Sequence, residues 1–208
     1  MSRFRRTQID PDEPVINDED VARSPESHVS EDHESFIGDV VERSNSCINR
    51  DYEGDYLYVP SHPHLIKILD KQGDQKVLFA DKVFKFTGSG KMKQRILVIT
   101  EFAIYIIDPE TDVLKRRIAL AAVEKVCMSE LSDNFLAIII PTEYDLLMAS
   151  TRKTKIAKVL IEAIMNASDY ELDVFLSNSF EYQAAAYQVK ELQFEEVEGG
   201  IKTRIVPK

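Results

Sequence analysis

Residues 76–108 read KVLFADKVFKFTGSGKMKQRILVITEFAIYIID, and the rest of the chain is organised around this stretch. Two apolar-rich patterns, VLFADKVFKF and RILVIT, flank the turn sequence TGSGK, which predicts an antiparallel β-hairpin. Between residues 81 and 95 a single acid, Asp81, stands beside five basic side chains. These are Lys82, Lys85, Lys91, Lys93 and Arg95. Such a local excess of positive charge, in a chain of net charge −10, predicts an anion-binding hairpin.

The spacing of the basic residues predicts that some of them share a face. Side chains alternate between faces along a strand, so Lys93 and Arg95 project together, and Lys85 has the same parity. Arg95 can offer a phosphate two parallel hydrogen bonds, whereas lysines supply mobile point charges. Gly88 and Gly90 allow the turn to bring backbone N–H groups close to a phosphate. The alternative is a solvated hairpin whose lysines keep a sheet edge soluble.

The composition argues against several classes of protein. Nucleic-acid-binding domains usually carry a basic balance, so the acidic net charge predicts no nucleic-acid partner. A local basic patch is still allowed, because salt screens charges over about 10 Å. Cys47 and Cys127 are far apart and form neither a metal-ligand pair nor a disulfide framework, which favours a reducing compartment.

Neither end of the chain shows a targeting motif. The start MSRFRRTQIDPDEP lacks the apolar stretch of a signal peptide, and Ser2 excludes N-myristoylation. The end RIVPK is no prenylation motif, and no apolar run approaches the roughly 18 residues of a membrane span. We therefore expect a soluble cytoplasmic protein, and any contact with the inner face of the plasma membrane or another anionic membrane is expected to be peripheral.

Residues 1–50 are predicted to form a disordered acidic tail. They contain six arginines and twelve carboxylates, with prolines at 11, 14 and 25 and no sustained apolar period. This composition offers too little apolar surface to offset the entropy cost of ordering. The opening RFRR would add weak affinity for an anionic membrane, at about 1 kcal/mol per basic residue.

Ordered structure is expected from residue 51 onward. Pro63 and Gly73 mark the two ends of a short helix, because proline suits the first helical turn and glycine ends a helix. About seven short strands follow in antiparallel order, separated by turn signals. A second helix starts near Thr151, where apolar residues recur at intervals of three and four. Two or three further strands, with a turn at Gly199-Gly200, complete the chain.

Seven strands followed by one helix is the order of a pleckstrin-homology-like fold. In this fold the helix closes one open end of a strongly bent antiparallel barrel. We therefore predict a mainly β protein with this architecture, extra C-terminal strands and a disordered N-terminal tail. The corresponding domains are a tail of residues 1–50, a pleckstrin-homology-like domain of residues 51–198 and a C-terminal strand or tail of residues 199–208.

No catalytic constellation is found in the sequence. His62 and His64 stand beside the first helix without a third metal ligand, which favours structural roles there over a metal site. Cys127 lies inside a strand pattern, where a buried and inert thiol is expected. The many carboxylates are scattered, so no acid–base pair can be assigned. We predict a protein without enzymatic activity, cofactor or metal ion.

Several blocks of the sequence carry a family resemblance. They are Gly54-Asp55-Tyr56, HPHLIKILDKQGDQKVLFADKV (62–83), KMKQRILVITEFAIYIID (91–108) and LKRRIAL (114–120). Together they resemble the first tail-homology domain of class I myosins over about residues 52–198. The motor, the IQ helices and any GxxxxGK[ST] phosphate loop are missing from this sequence, so no nucleotide cycle is expected.

The resemblance implies a module that binds anionic phospholipids, phosphatidylinositol 4,5-bisphosphate foremost. Lys85 matches the family's lysine near the end of one strand, and Lys93-Gln94-Arg95 matches the basic pair that opens the next. Lys91 and Lys82 complete the predicted headgroup-binding set. The loop FTGSGKM departs from the family because it has one lysine where the family's loops are commonly richer in basic residues.

A second class of function stays open at this point. Pleckstrin-homology-like folds also bind peptides along a strand edge, and a fold does not determine a function. The alternative is therefore a protein-interaction adaptor that uses the same fold, with a cytoskeletal protein partner at the actin or myosin cortex.

Overall fold

The computed structural model describes residues 54–168 and 170–208. The predicted disordered tail of residues 1–50 lies outside the described residues, as does Cys47. Within the described part, the elements follow the predicted order of a helix, seven strands, a second helix and further strands. No helix in that part is long and apolar enough to cross a membrane.

The first half of the described chain is built as follows. A short 3-10 helix, Val59–Ser61, precedes helix α1, Pro63–Gln72. Seven strands come next: β1 (Val77–Phe86), β2 (Met92–Thr100), β3 (Ala103–Ile107), β4 (Leu114–Ala119), β5 (Lys125–Met128), β6 (Phe135–Ile139) and β7 (Leu146–Ala149). A second 3-10 helix, Leu120–Ala122, connects β4 to β5.

The second half begins with helix α2, Lys153–Ala167. Four strands follow it: β8 (Asp173–Leu176), β9 (Ser179–Ala185), β10 (Gln188–Val197) and β11 (Gly200–Pro207). The sequence predicted two or three. The additional strand is β8, a segment of four residues. Val174 is half-buried and the other three residues are exposed, so the strand has no alternation of buried and exposed positions.

The described strands form two sheets. The larger sheet has eight strands in the order β4-β3-β2-β1-β7-β6-β5-β8. Its first seven strands pair antiparallel, whereas β8 joins β5 in parallel register. The smaller sheet has the order β11-β10-β9 and is antiparallel throughout.

The main hydrophobic core lies on the inner face of the large sheet, under α2. The apolar residues that the sequence placed on this helix are all buried: Ile156, Val159, Leu160, Ala163 and Ile164. They belong to the same cluster as Val83 of β1, Leu97 of β2 and Ile118 of β4, which we call the barrel core. This arrangement confirms the predicted barrel with its closing helix.

Two smaller clusters cover the outer face of the large sheet. Helix α1 packs Leu65 and Leu69 against β2 and β3. It begins at Pro63 and ends at Gly73, whose φ of 78° is left-handed, as the sequence predicted. Elsewhere the small sheet packs against β5–β7 around Cys127, which is buried as expected. Burial raises the pKa of this thiol to about 11.

The segment before α1 is fastened to β1 at Gly54. The Ala80 amide donates to the Gly54 carbonyl at 3.0 Å, and the Tyr56 amide donates to the Ala80 carbonyl at 2.8 Å. The φ of Gly54 is +131°, and a Cβ at this position would lie 2.4 Å from the carbonyl oxygen of Leu78. Because that neighbour is backbone and cannot move aside, only glycine fits.

We expect Gly54→Ala to lower the free energy of unfolding by about 3 kcal/mol, since it combines a forbidden φ with a backbone clash. Gly73→Ala is the matched control. It also has a positive φ, but its Cβ would meet nothing within 4 Å, so a loss of about 1 kcal/mol is expected. Urea denaturation followed by circular dichroism measures both, and equal losses would contradict the clash at Gly54.

Candidate functional site

Strands β1 and β2 pair in a register that brings three of the predicted cations together. Lys85 lies opposite Lys93, and Val83 lies opposite Arg95. Directly opposed residues share a face of the sheet, so Lys85, Lys93 and Arg95 project from the face that carries Val83. Val83 is buried in the barrel core. The three cations therefore continue the inward face of the barrel beyond its apolar part.

The structure separates the other two predicted cations from this group. Lys82 lies opposite Ile96, which packs in the cluster beneath α1, so Lys82 projects from the outer face. Lys91 is exposed in the turn. There the Gly90 amide donates to the Thr87 carbonyl at 2.8 Å, so this predicted phosphate donor is engaged within the turn.

Strand β4 adds a cation that sequence reasoning did not assign to the site. Arg116 lies opposite Ile106 of the barrel core and therefore also points inward, with a side chain only 7% exposed. Its Nε and Nη2 lie 3.1 and 2.9 Å from Oε2 of Glu143. Nη2 also donates to the Tyr144 carbonyl at 2.5 Å.

The remaining nitrogen of this guanidinium is unsatisfied. Nη1 of Arg116 is buried and has no hydrogen-bond partner in the described part of the chain. A buried donor without a partner costs free energy, so an acceptor that reached this atom would be stabilising. We call Lys85, Lys93, Arg95 and Arg116 together the basic mouth.

Tyr144, in the connection between β6 and β7, forms one wall of the basic mouth. The Arg116 Cζ lies 4.1 Å from the centroid of its ring, and the Lys85 Nζ lies 5.7 Å from it. Contacts of a cation with an aromatic face at these distances are attractive. The ring thus holds two cations from different strands on the same side of the site.

The cations of the basic mouth repel one another. Burial lowers the pKa of Lys85, and the nearby charges of Arg116, Arg95 and Lys93 lower it further. Both effects disfavour the ammonium form, because the charge loses water and gains like-charged neighbours. A bound anion would reverse the second effect.

Asp108 neutralises part of this charge. Its Oδ2 lies 3.4 Å from Nη1 of Arg95 and 3.5 Å from Nζ of Lys115. Burial acts to raise the pKa of Asp108, but the Glu110 amide and the charges of Arg95 and Lys115 outweigh it and lower the pKa. The charge of Arg95 is therefore partly neutralised by Asp108. Lys85 and Lys93, in contrast, have no carboxylate partner among the ion pairs of the described residues.

The histidines at the start of α1 have structural partners. His62 Nε2 lies 3.1 Å from the Leu57 carbonyl oxygen, and His64 Nε2 lies 3.1 Å from Oδ1 of Asp112. Within the described ranges, no three metal-ligating side chains come together.

Comparison with known proteins identifies a family to which this sequence is similar. The family described as unconventional myosin tail, actin- and lipid-binding, matches residues 42–206. The myosin ID heavy chain of Dictyostelium discoideum is 32% identical over 135 residues, covering 59% of this chain and 12% of that protein. The myosin IB heavy chain of the same organism is 28% identical over 167 residues, covering 77% and 15%. The chain thus spans only 12% and 15% of the length of these two relatives.

One solved structure has a more distant similarity. The hSac2 domain from human phosphoinositide phosphatase Sac2 superposes with a TM-score of 0.42 at 15% sequence identity. The match covers 56% of this chain and 90% of that one. A similarity of this size carries no functional argument.

We expect Lys85→Met to raise the free energy of unfolding by about 0.5–1 kcal/mol near pH 7, because it removes a like-charge pair directly across the ladder. Since folding lowers the pKa of Lys85, the unfolded chain binds its proton more tightly. The wild-type penalty is therefore complete below the lowered pKa and disappears as the pH rises to the unfolded value of 10.5. The advantage of the variant should shrink across that window.

Urea denaturation of both proteins at several pH values measures this difference. Lys82→Met is the control, because it removes the same charge from the same strand on the outer face and should change stability little. An advantage of Lys85→Met that stays constant up to pH 10.5 would contradict the electrostatic origin.

Proposed function

We propose that this chain, which belongs to the family of unconventional myosin tails described as actin- and lipid-binding, is a non-enzymatic module. It binds anionic phospholipid membranes peripherally, through the basic mouth. The observation that carries the proposal is the opposition of Lys85 and Lys93 on the inward face, beside the unpartnered Nη1 of Arg116. The membrane would be the inner face of the plasma membrane or another anionic surface.

The number and kind of donors favour a multiply charged headgroup. Lysine ammonium groups move on flexible stems, whereas the guanidinium of Arg116 is held by Glu143 and the Tyr144 carbonyl and keeps one buried nitrogen, Nη1, without a partner. Several phosphates can each take a separate donor in such a site. We therefore propose phosphoinositides, such as phosphatidylinositol 4,5-bisphosphate, over singly charged phospholipids.

The acidity of the rest of the chain selects one orientation. The whole chain has a net charge of −10, so its overall charge opposes binding to an anionic membrane and attraction has to come from a local basic surface such as the basic mouth. Salt screens the repulsion from distant carboxylates more than the short-range contacts at the mouth. Binding should accordingly combine local hydrogen bonds with a requirement for one face.

Lys85→Met should weaken binding to phosphatidylcholine vesicles that contain phosphatidylinositol 4,5-bisphosphate by about tenfold, as expected for the loss of one charge-assisted hydrogen bond. Because this variant is expected to be more stable than the wild type, weaker binding would not result from unfolding. Cosedimentation measures the affinity, and vesicles of equal total charge made with phosphatidylserine test the headgroup preference.

Two further variants test whether the effect on binding is local to the basic mouth. Lys82→Met carries the same charge change on the outer face and should alter binding less than about twofold, since its distance from the mouth leaves only a screened interaction. Asp108→Asn keeps an acceptor for the Glu110 amide and removes the negative charge beside Arg95, so it should tighten binding by about fivefold. Equal losses at Lys82 and Lys85 would indicate a general charge effect, and a wild type that binds neither vesicle would overturn the proposal.

A protein-interaction adaptor is the second candidate, and β8 favours it. This strand forms one edge of the large sheet, with Phe175 and Leu176 exposed by 49% and 51%. An edge strand with exposed apolar side chains can pair with an extended segment of another protein. The description of the family names actin as well as lipid, which makes actin filaments the partner to test.

The double variant Phe175→Ser and Leu176→Ser should lose filament binding while keeping vesicle binding, because β8 and the basic mouth are built from different strands. Cosedimentation with actin filaments at low and raised salt measures this. Binding that survives raised salt in the wild type and disappears in the variant would support the adaptor, and a wild type that never sediments with filaments would exclude actin.

A further inference from the structure

The turn between β9 and β10 presents a fully exposed aromatic side chain. Tyr187 has a relative exposure of 102%, and its φ of +58° lies in the left-handed region that bulky residues rarely occupy. Ala185 and Ala186 precede it, so no charged residue interrupts this small apolar tip. A tyrosine in this conformation and environment contributes little to folding.

The tip lies against the turn of the basic hairpin. Nζ of Lys190 donates to the Gly88 carbonyl at 2.7 Å. A Cβ at Gly88 would lie 3.1 Å from the Cβ of Ala185 and 3.3 Å from the carbonyl oxygen of Ala184, so the absence of a side chain permits this approach. The two turns, one basic and one apolar, are therefore adjacent.

The tip is also fastened to the wall of the basic mouth. The carboxylate of Asp145 accepts the Gln183 amide at 2.6 Å and the Ile140 amide at 2.8 Å, and the Asp145 amide donates to the Gln183 carbonyl at 2.8 Å. These bonds connect β9 to the β6–β7 connection that carries Tyr144. A groove of about 510 Å³ lies between them, lined by both Tyr144 and Tyr187.

We propose that Tyr187 inserts into the interfacial region of the same anionic membrane whose headgroups the basic mouth binds, an inference that rests on the proposed function. Tyrosine suits this environment because its ring is apolar and its hydroxyl is polar, so it favours the boundary between headgroups and acyl chains. The basic mouth beside it brings negatively charged lipid to that position. The occupant of this surface is thus a lipid bilayer and not a soluble phosphate.

A fluorescence experiment tests the insertion directly. The chain contains no tryptophan, so Tyr187→Trp introduces a single reporter. We expect its emission to shift to the blue, and to be quenched by lipids brominated on their acyl chains, when the full chain is mixed with vesicles containing phosphatidylinositol 4,5-bisphosphate. Phe102→Trp is the matched control, because Phe102 is 60% exposed in a turn at the opposite end of β2 and should report no change.

An affinity measurement supplies the second test. Tyr187→Ala should weaken vesicle binding by about fivefold to tenfold, as expected for keeping part of an aromatic side chain in water. The ratio should persist at raised salt, and binding of the soluble inositol phosphate headgroup should not change. Lys85→Met, in contrast, should weaken binding of both the vesicle and the soluble headgroup.

The outcomes separate the two proposals. A wild type that binds no anionic vesicle overturns the proposed function and this inference with it. A wild type that binds, together with an unshifted Tyr187→Trp spectrum and unchanged affinity of Tyr187→Ala, overturns the insertion alone. Equal quenching of Tyr187→Trp and Phe102→Trp would show unoriented adsorption and would also overturn it.

Discussion

Lys85 faces Lys93 across the β1–β2 ladder, and the packing of the barrel core holds them there. An antiparallel ladder that slips by one residue turns every side chain to the other face. Such a slip would expose Val83 and Leu97 and bury charges instead, so the apolar residues fix the register. The irregularity in this ladder lies between Val77 and Phe79, away from the cations. The direction in which the cations of the basic mouth project is therefore a consequence of hydrophobic packing a few residues away.

Two adjacent arginines, Arg116 and Arg117, differ in the face to which they point and in how completely their hydrogen bonds are satisfied. Arg117 points to the outer face, where Nε donates to the Tyr105 hydroxyl at 3.0 Å and Nη2 lies 3.5 Å from Asp74. Burial and the hydrogen bond to Asp74 raise the pKa of Tyr105 to about 12, so this network keeps its proton and joins α1 to the sheet. Arg116 points inward and keeps Nη1 without a partner. The unsatisfied donor and the repulsion among cations occur together at the basic mouth, as expected where a ligand completes the interactions.

Local pattern was sufficient to predict the hairpin, both helices and the shared face of Lys93 and Arg95, because these features depend on residues close in sequence; the face of Lys85 follows from the register between β1 and β2. Proximity alone groups Lys82 with them, although its parity places it on the outer face. Arg116 could not be assigned in the same way, since the ladder between β3 and β4 is irregular between Ile106 and Ile107. Its parity with Ile118 of the barrel core is the one signal that indicates an inward position. The contribution of the small sheet depends on contacts distant in sequence, such as that between Gly88 and Lys190, which no periodicity reveals.

In the proposed mode of membrane binding, the small sheet supplies a second kind of contact, beside the basic mouth. Electrostatic attraction selects a charged surface but weakens with salt, whereas transfer of an aromatic ring from water does not depend on charge. A turn that carried Tyr187 without attachment would lose conformational entropy on binding. Asp145 and Gly88 lower that cost in advance, because their contacts hold β9 and β10 against Tyr144's connection and the turn of the basic hairpin. The small sheet thus acts as a support that holds an apolar tip beside the cations of the basic mouth.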